Sequence, residues 1–167
     1  MKKLFFLIFT VLLISCGPSL NVKETKNDGK IVYEMENNYL FRENNKELII
    51  AYQLNLKKEG NNYFFAFRYI DPDPLPEIGS GETFIIEINK EETIKLTGEG
   101  SEKYRGQWMG NNVETAYYPA TLELIQKMIN SEQDLFLTII GQKSKMSMYF
   151  TSDNKKRFQA FLERYNK

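Results

Sequence analysis

Residues 48–70, LIIAYQLNLKKEGNNYFFAFRYI, decide the fold class of this chain. Leu48, Ile50, Tyr52, Leu54 and Leu56 alternate with Ile49, Ala51, Gln53, Asn55 and Lys57, the period-2 pattern of a strand with one buried face. Glu59-Gly60-Asn61-Asn62 marks a turn. A second strand carries Tyr63, Phe65, Phe67 and Tyr69 on one face and Phe64, Ala66, Arg68 and Ile70 on the other. Together they predict an antiparallel hairpin whose turn is longer than two residues. The second strand is apolar on both faces near its start, so it is expected centrally, with something covering each side.

The same reading extends in both directions. Lys30–Glu36 alternates weakly through Ile31, Tyr33 and Met35 and predicts a first strand. Asp71-Pro72-Asp73-Pro74-Leu75-Pro76 cannot continue a ladder, since proline lacks the donor and restricts its predecessor. Its acids, with Glu77, lack the glycine and distal glutamate of an EF-hand, so a stiff solvated connector is expected there. Further strands are predicted at Thr83–Ile88, Thr93–Thr97 and Val113–Tyr118, where Tyr117 and Tyr118 read as rim and core of the sheet. A last hairpin runs through Leu135, Leu137 and Ile139, then Met146, Met148 and Phe150, around Gly141–Ser144.

Two helices complete the pattern. Pro119–Asn130 places Leu122, Ile125, Met128 and Ile129 on one stripe, with Pro119 at the first position, where its missing N–H costs nothing. Asn154–Tyr165 places Phe158, Phe161, Leu162 and Tyr165 on one stripe, after Ser152 or Asp153 as N-cap. The expectation is an α+β domain over residues 30–167. It is a mostly antiparallel sheet of about six to seven strands with two amphipathic helices on one face.

The chain opens on MKKLFFLIFTVLLISCG at residues 1–17. Lys2 and Lys3 precede an apolar run over Leu4–Ile14, broken only by Thr10. That run suits a signal peptide and is shorter than the ~20 residues of a spanning helix. Leu13-Ile14-Ser15-Cys16 resembles the lipobox of bacterial lipoproteins. The resemblance implies cleavage after Ser15, so that residues 1–15 are a signal peptide, and lipidation of Cys16. Two or three acyl chains, at about 0.8 kcal/mol per buried CH₂, would make a stable membrane anchor. It also implies a place in the bacterial cell envelope, with Gly17 allowing the outer membrane where there are two. Residues 16–29 then read as the lipidated cysteine and a flexible tether. Gly17–Gly29 is polar and without period, with a random-coil reach of roughly 20 Å.

Composition narrows the chemistry. The chain has 22 basic and 22 acidic residues, and removing residues 1–15 takes away Lys2 and Lys3 only, leaving a net charge of −2. A nucleic-acid binder would show a strongly basic domain, so none is expected as partner. There is no histidine, which removes the commonest general base, the commonest metal ligand and every Ser-His or Cys-His pairing. Cys16 is the single cysteine, so no intramolecular disulfide forms. No cofactor and no metal site is expected.

Two surfaces stand out. Gly98–Asn112, GEGSEKYRGQWMGNN, reads as a long loop carrying Tyr104, Arg105, Gln107, Trp108 and Asn111. Trp, Tyr and Arg dominate interface hot spots, so these are the candidate binding residues, the alternative being that the single tryptophan folds back over the core. Lys143, Lys145, Lys155, Lys156 and Arg157 form a candidate basic surface for anionic headgroups or an envelope polymer, the alternative being a solvated face. The function expected is a non-catalytic, membrane-anchored envelope lipoprotein that binds a protein, glycan or lipid. The alternatives are a small inhibitor presenting a loop to a lytic or proteolytic enzyme, and, further off, a hydrolase using carboxylates alone.

Overall fold

The hairpin of residues 48–70 forms, with Glu59 paired directly to Asn62. Its turn is therefore the two residues Gly60-Asn61, shorter than expected, with Gly60 at φ 59°. The computed structural model describes residues 19–42, 48–71, 75–89, 91–105 and 112–166. In chain order these form β1 (Asn21–Asn27), β2 (Lys30–Glu36), β3 (Tyr39–Arg42), β4 (Leu48–Glu59), β5 (Asn62–Asp71) and β6 (Ser80–Ile88). There follow β7 (Glu92–Glu99), β8 (Ser101–Arg105), β9 (Asn112–Ala120), helix α1 (Leu122–Asn130), β10 (Leu135–Ile140), β11 (Lys145–Phe150) and helix α2 (Ser152–Tyr165). The α+β class and the antiparallel pairing are as expected, but the sheet has 11 strands among the described residues rather than six to seven.

The sheet order is β7-β6-β10-β11-β3-β4-β5-β9-β8, with β1 and β2 branching off β4. β5 is central, between β4 and β9. The two ends of this order, β7 and β8, are separated in sequence by Gly100 alone, so the sheet must curl until its ends meet. Two glycines permit the closure. Gly100 holds φ +108°, a conformation open to glycine and strained for other residues. A Cβ on Gly98 would lie 2.9 Å from the Tyr118 ring and 3.2 Å from the Tyr117 carbonyl oxygen.

Inside the curl lies one apolar core. Leu54, Leu56, Phe65, Phe67, Phe84 and Tyr118 are buried on the strands. Ile125 and Met128 enter from α1, and Phe158 and Phe161 from α2. The Phe158 ring packs 4.7 Å from Phe150 and 6.1 Å from Phe65, centroid to centroid. Each such side chain contributes about 1.5–3 kcal/mol on burial.

Four expectations are corrected. Pro119 does not begin α1. It lies in β9 opposite Phe64, one residue before the strand ends, and Thr121 caps the helix by accepting from the Leu124 N–H at 3.1 Å. The N-cap of α2 is Thr151, not Ser152 or Asp153. The segment read as a tether, Gly17–Gly29, contains β1, which pairs along its length with β2. The segment read as a loop, Gly98–Asn112, contains β8, paired with β9 from Ser101–Ala116 to Arg105–Asn112. β1 and β8 are polar and largely exposed, so they carry no alternating apolar signal to read; the four-residue β3 was also unforeseen.

Candidate functional site

Register places a set of rings and charges on the outside of the sheet. In an antiparallel ladder, residues directly opposite each other share a face. Phe64 faces Pro119, Ala66 faces Tyr117 and Arg68 faces Thr115. Glu102 faces Thr115 and Tyr104 faces Val113. These alternate with Phe65, Phe67, Ala116 and Tyr118, which fill the core, so they lie on the opposite, outer face of β5, β9 and β8.

The face is organised by electrostatics. Arg68 donates to Glu34 of β2 at 3.2 Å across the sheet. Lys57 of β4 sits 4.8 Å from the centroid of the Tyr117 ring and 5.7 Å from that of Phe64, within cation–π range. Burial, with the Glu34 charge adding to it, pushes the Tyr117 phenol up to about 12. Beneath them Arg68 Nε and Thr115 Oγ1 are buried with no hydrogen-bond partner among the described residues, which normally costs stability. Tyr104 stands at the edge, 51% exposed.

From this face a groove of about 800 Å³ runs past Phe64, Tyr117 and Pro119 to the Gly98–Glu102 backbone, where β7 crosses to β8. A second, of about 570 Å³, shares Phe64 and Pro119 and reaches Asn61 and Asn62 at the β4–β5 turn and the start of α1. Both grooves are about half open to solvent. The floor near Ile78 is fixed by Glu114, which is fully buried. Its carboxylate accepts from the Glu77 N–H at 3.0 Å and the Ile78 N–H at 2.5 Å, and from the Ser101 hydroxyl. Those bonds commit Glu114 to positioning the loop. Among the described residues no group of three His, Cys, Asp or Glu side chains gathers as metal ligands.

The residues singled out in the sequence are only partly brought together. Tyr104 is on the outer face. Arg105 ends β8 opposite Asn112, and its side chain lies outside the description. Cys16, Gln107, Trp108 and Asn111 lie outside the described residues. The basic group is not one cationic surface. Lys155 is buried, with 7% exposure, and donates to the Ser131 and Gln133 carbonyls at 2.8 and 2.5 Å beyond the end of α1. Burial pushes its ammonium below the usual lysine range. Lys143 pairs with Glu77 at 2.7 Å, Lys156 with Asp153 at 3.4 Å, and Arg157 donates to the Asn37 carbonyl at 3.4 Å. Lys145 is exposed. A run of cations in sequence is divided here between helix packing and local ion pairs.

Phe64, Arg68 and Tyr117 escaped the sequence reading as site residues. Their one signal was the second apolar face of the β5 segment, read as something to be covered rather than as something to be used. No protein-family model, no curated protein and no solved structure matches this chain.

Proposed function

We propose that this chain is a bacterial envelope lipoprotein, anchored through Cys16, whose domain is a non-catalytic binding module. The outer face of β5, β9 and β8 is its recognition surface, for an envelope protein or glycan. The observation that carries this reading is the outward grouping of Phe64, Tyr117 and Tyr104 with Arg68 and Glu102 on a sheet whose inner face is filled by core. Rings with a guanidinium between them suit an interface anchor. The unpartnered Arg68 Nε and Thr115 Oγ1 would be satisfied by ligand oxygens once the Glu34–Arg68 ion pair parts. A membrane anchor keeps such a surface close to other envelope components.

Two measurements test the proposal. Radiolabelled fatty acid is expected on the wild-type chain and absent from Cys16→Ser; label persisting in the variant would end the lipoprotein reading. For the surface, the tethered protein is used to capture partners from envelope extract. Tyr104→Ala is expected to reduce capture at least tenfold and shift stability by no more than about 0.5 kcal/mol, as an exposed substitution should. Undiminished capture would remove this face from the function.

A further inference from the structure

β1 ends the branch of the sheet that leaves β4 through β2. It pairs with β2 along its length, and among the described residues no strand pairs with its other edge. Asn27 and Lys30 flank the two-residue turn Asp28-Gly29, with φ 47° and 80°, so they form a hydrogen-bonded pair. By alternation Lys23, Thr25 and Asn27 turn their N–H and C=O groups toward β2, and Val22, Glu24 and Lys26 turn theirs outward. Six of the seven residues of β1 are exposed. Neither Glu24 nor Lys26 has an ion-pair partner among the described residues. A free edge of this length is a template for another strand.

The charge order of β1 says which strand fits. Two identical strands paired antiparallel about a two-fold axis set one residue opposite its own copy. Three such registers keep five or more rungs within Asn21–Asn27, with Lys23, Glu24 or Thr25 on the axis. The first two oppose Lys23 to Lys23 or Glu24 to Glu24, and like charges directly opposite are destabilising. The third opposes Thr25 to Thr25, and sets Glu24 of each copy against Lys26 of the other. Glu24 and Lys26 are also residues whose backbone groups point outward, so both of these rungs are hydrogen-bonded pairs. Lysine on an edge usually guards it against pairing. Here Lys26 is complemented by a glutamate of the same strand.

We infer that β1 is a homodimer interface, at which two copies join their sheets edge to edge across Thr25. The joined sheet runs from β2 and β1 of one copy into β1 and β2 of the other. One row across it reads Ile31 and Lys26, then Glu24 and Tyr33 of the second copy. The next row reads Val32 and Thr25, then Thr25 and Val32 of the second copy. This interface depends neither on the lipid anchor nor on the outer face of β5, β9 and β8.

The test uses the full chain in mild detergent with Cys16→Ser, so that an introduced cysteine is the only thiol. Sedimentation is expected to show a concentration-dependent dimer. Thr25→Cys should cross-link it under mild oxidation, because Cα atoms opposed at a rung without hydrogen bonds lie about 4.5 Å apart, within disulfide reach. Glu24→Cys should not cross-link, since its own copy then lies on a diagonal roughly 8 Å away. Glu24→Lys and Lys26→Glu should each weaken dimerisation about tenfold. An equimolar mixture of the two should restore it, because each mixed rung again opposes lysine to glutamate. A monomer at every concentration, cross-linking through Glu24→Cys in place of Thr25→Cys, or a mixture no tighter than either variant would each overturn the inference.

Discussion

Asn154 does more for this fold than any neighbour of its size. Its Oδ1 accepts from the Thr151 N–H at 2.8 Å and closes the first turn of α2. Its Nδ2 donates to Asn38 Oδ1 at 2.8 Å and to the Tyr39 carbonyl at 2.7 Å, where the chain bends from β2 into β3. Asn38 in turn donates to the Leu54 carbonyl at 2.7 Å and, through its backbone N–H, to Asn55 Oδ1 at 3.1 Å. A helix start, a strand bend and the central hairpin therefore share one buried network. Truncation would strand several buried groups at once, each at about 1–3 kcal/mol. Asn154→Ala is expected to lower unfolding stability by about 2–4 kcal/mol in denaturant titration, with little change in m-value. Gln159→Ala, on the exposed side of the same helix, should stay within about 0.5 kcal/mol. The sequence marks Asn154 as a helix start. It is silent on Asn38, because the two are 116 residues apart.

Among the elements, the crossing from β7 to β8 is the most exacting. Tyr118 is fully buried, its hydroxyl held at 2.9 Å by Thr83 and its ring 5.1 Å from Phe84. The ring cannot withdraw from a new methyl group on Gly98, which would start 2.9 Å away. Gly98→Ala is expected to cost about 1–3 kcal/mol, the usual penalty of overpacking, read as a lowered thermal midpoint. A change within error would mean that β7 can move off β9. The hairpins of β4–β5 and β10–β11 were legible because their inward residues alternate strictly. β8, where Ser101 and Lys103 alternate with Glu102 and Tyr104, was not, since it buries almost nothing and is held by its pairing to β9.

For the whole molecule, the buried phenols set an alkaline limit. Burial, against a smaller opposing pull from the Thr83 hydrogen bond, pushes Tyr118 from 10.0 up to about 12. Tyr117 on the other face is likewise pushed up to about 12. A raised phenol means that the native state keeps a proton the unfolded chain sheds. This contribution is therefore whole below about pH 10 and is lost as pH rises toward 12. Stability should fall by up to about 1.4 kcal/mol per pH unit for Tyr118 across that window, with a smaller share from the half-exposed Tyr117. Denaturant titrations at stepped alkaline pH check this, and Tyr118→Phe should flatten the slope. An equal slope in that variant would place the loss elsewhere.

By itself the sequence determined the class of the domain and most of the strands that line its core, because burial of one face imposes a period that can be read residue by residue. It also determined which chemistries lack their residues, since an absent histidine is absent in any fold. Only the tertiary structure decided that the sheet curls until β7 meets β8, that Lys155 is withdrawn from a supposed basic surface, and that Tyr104, Tyr117 and Arg68 share one outer face. Each of these depends on register and closure between segments far apart in the chain. Such contacts are selected by the packing of the whole core, and no local pattern encodes them.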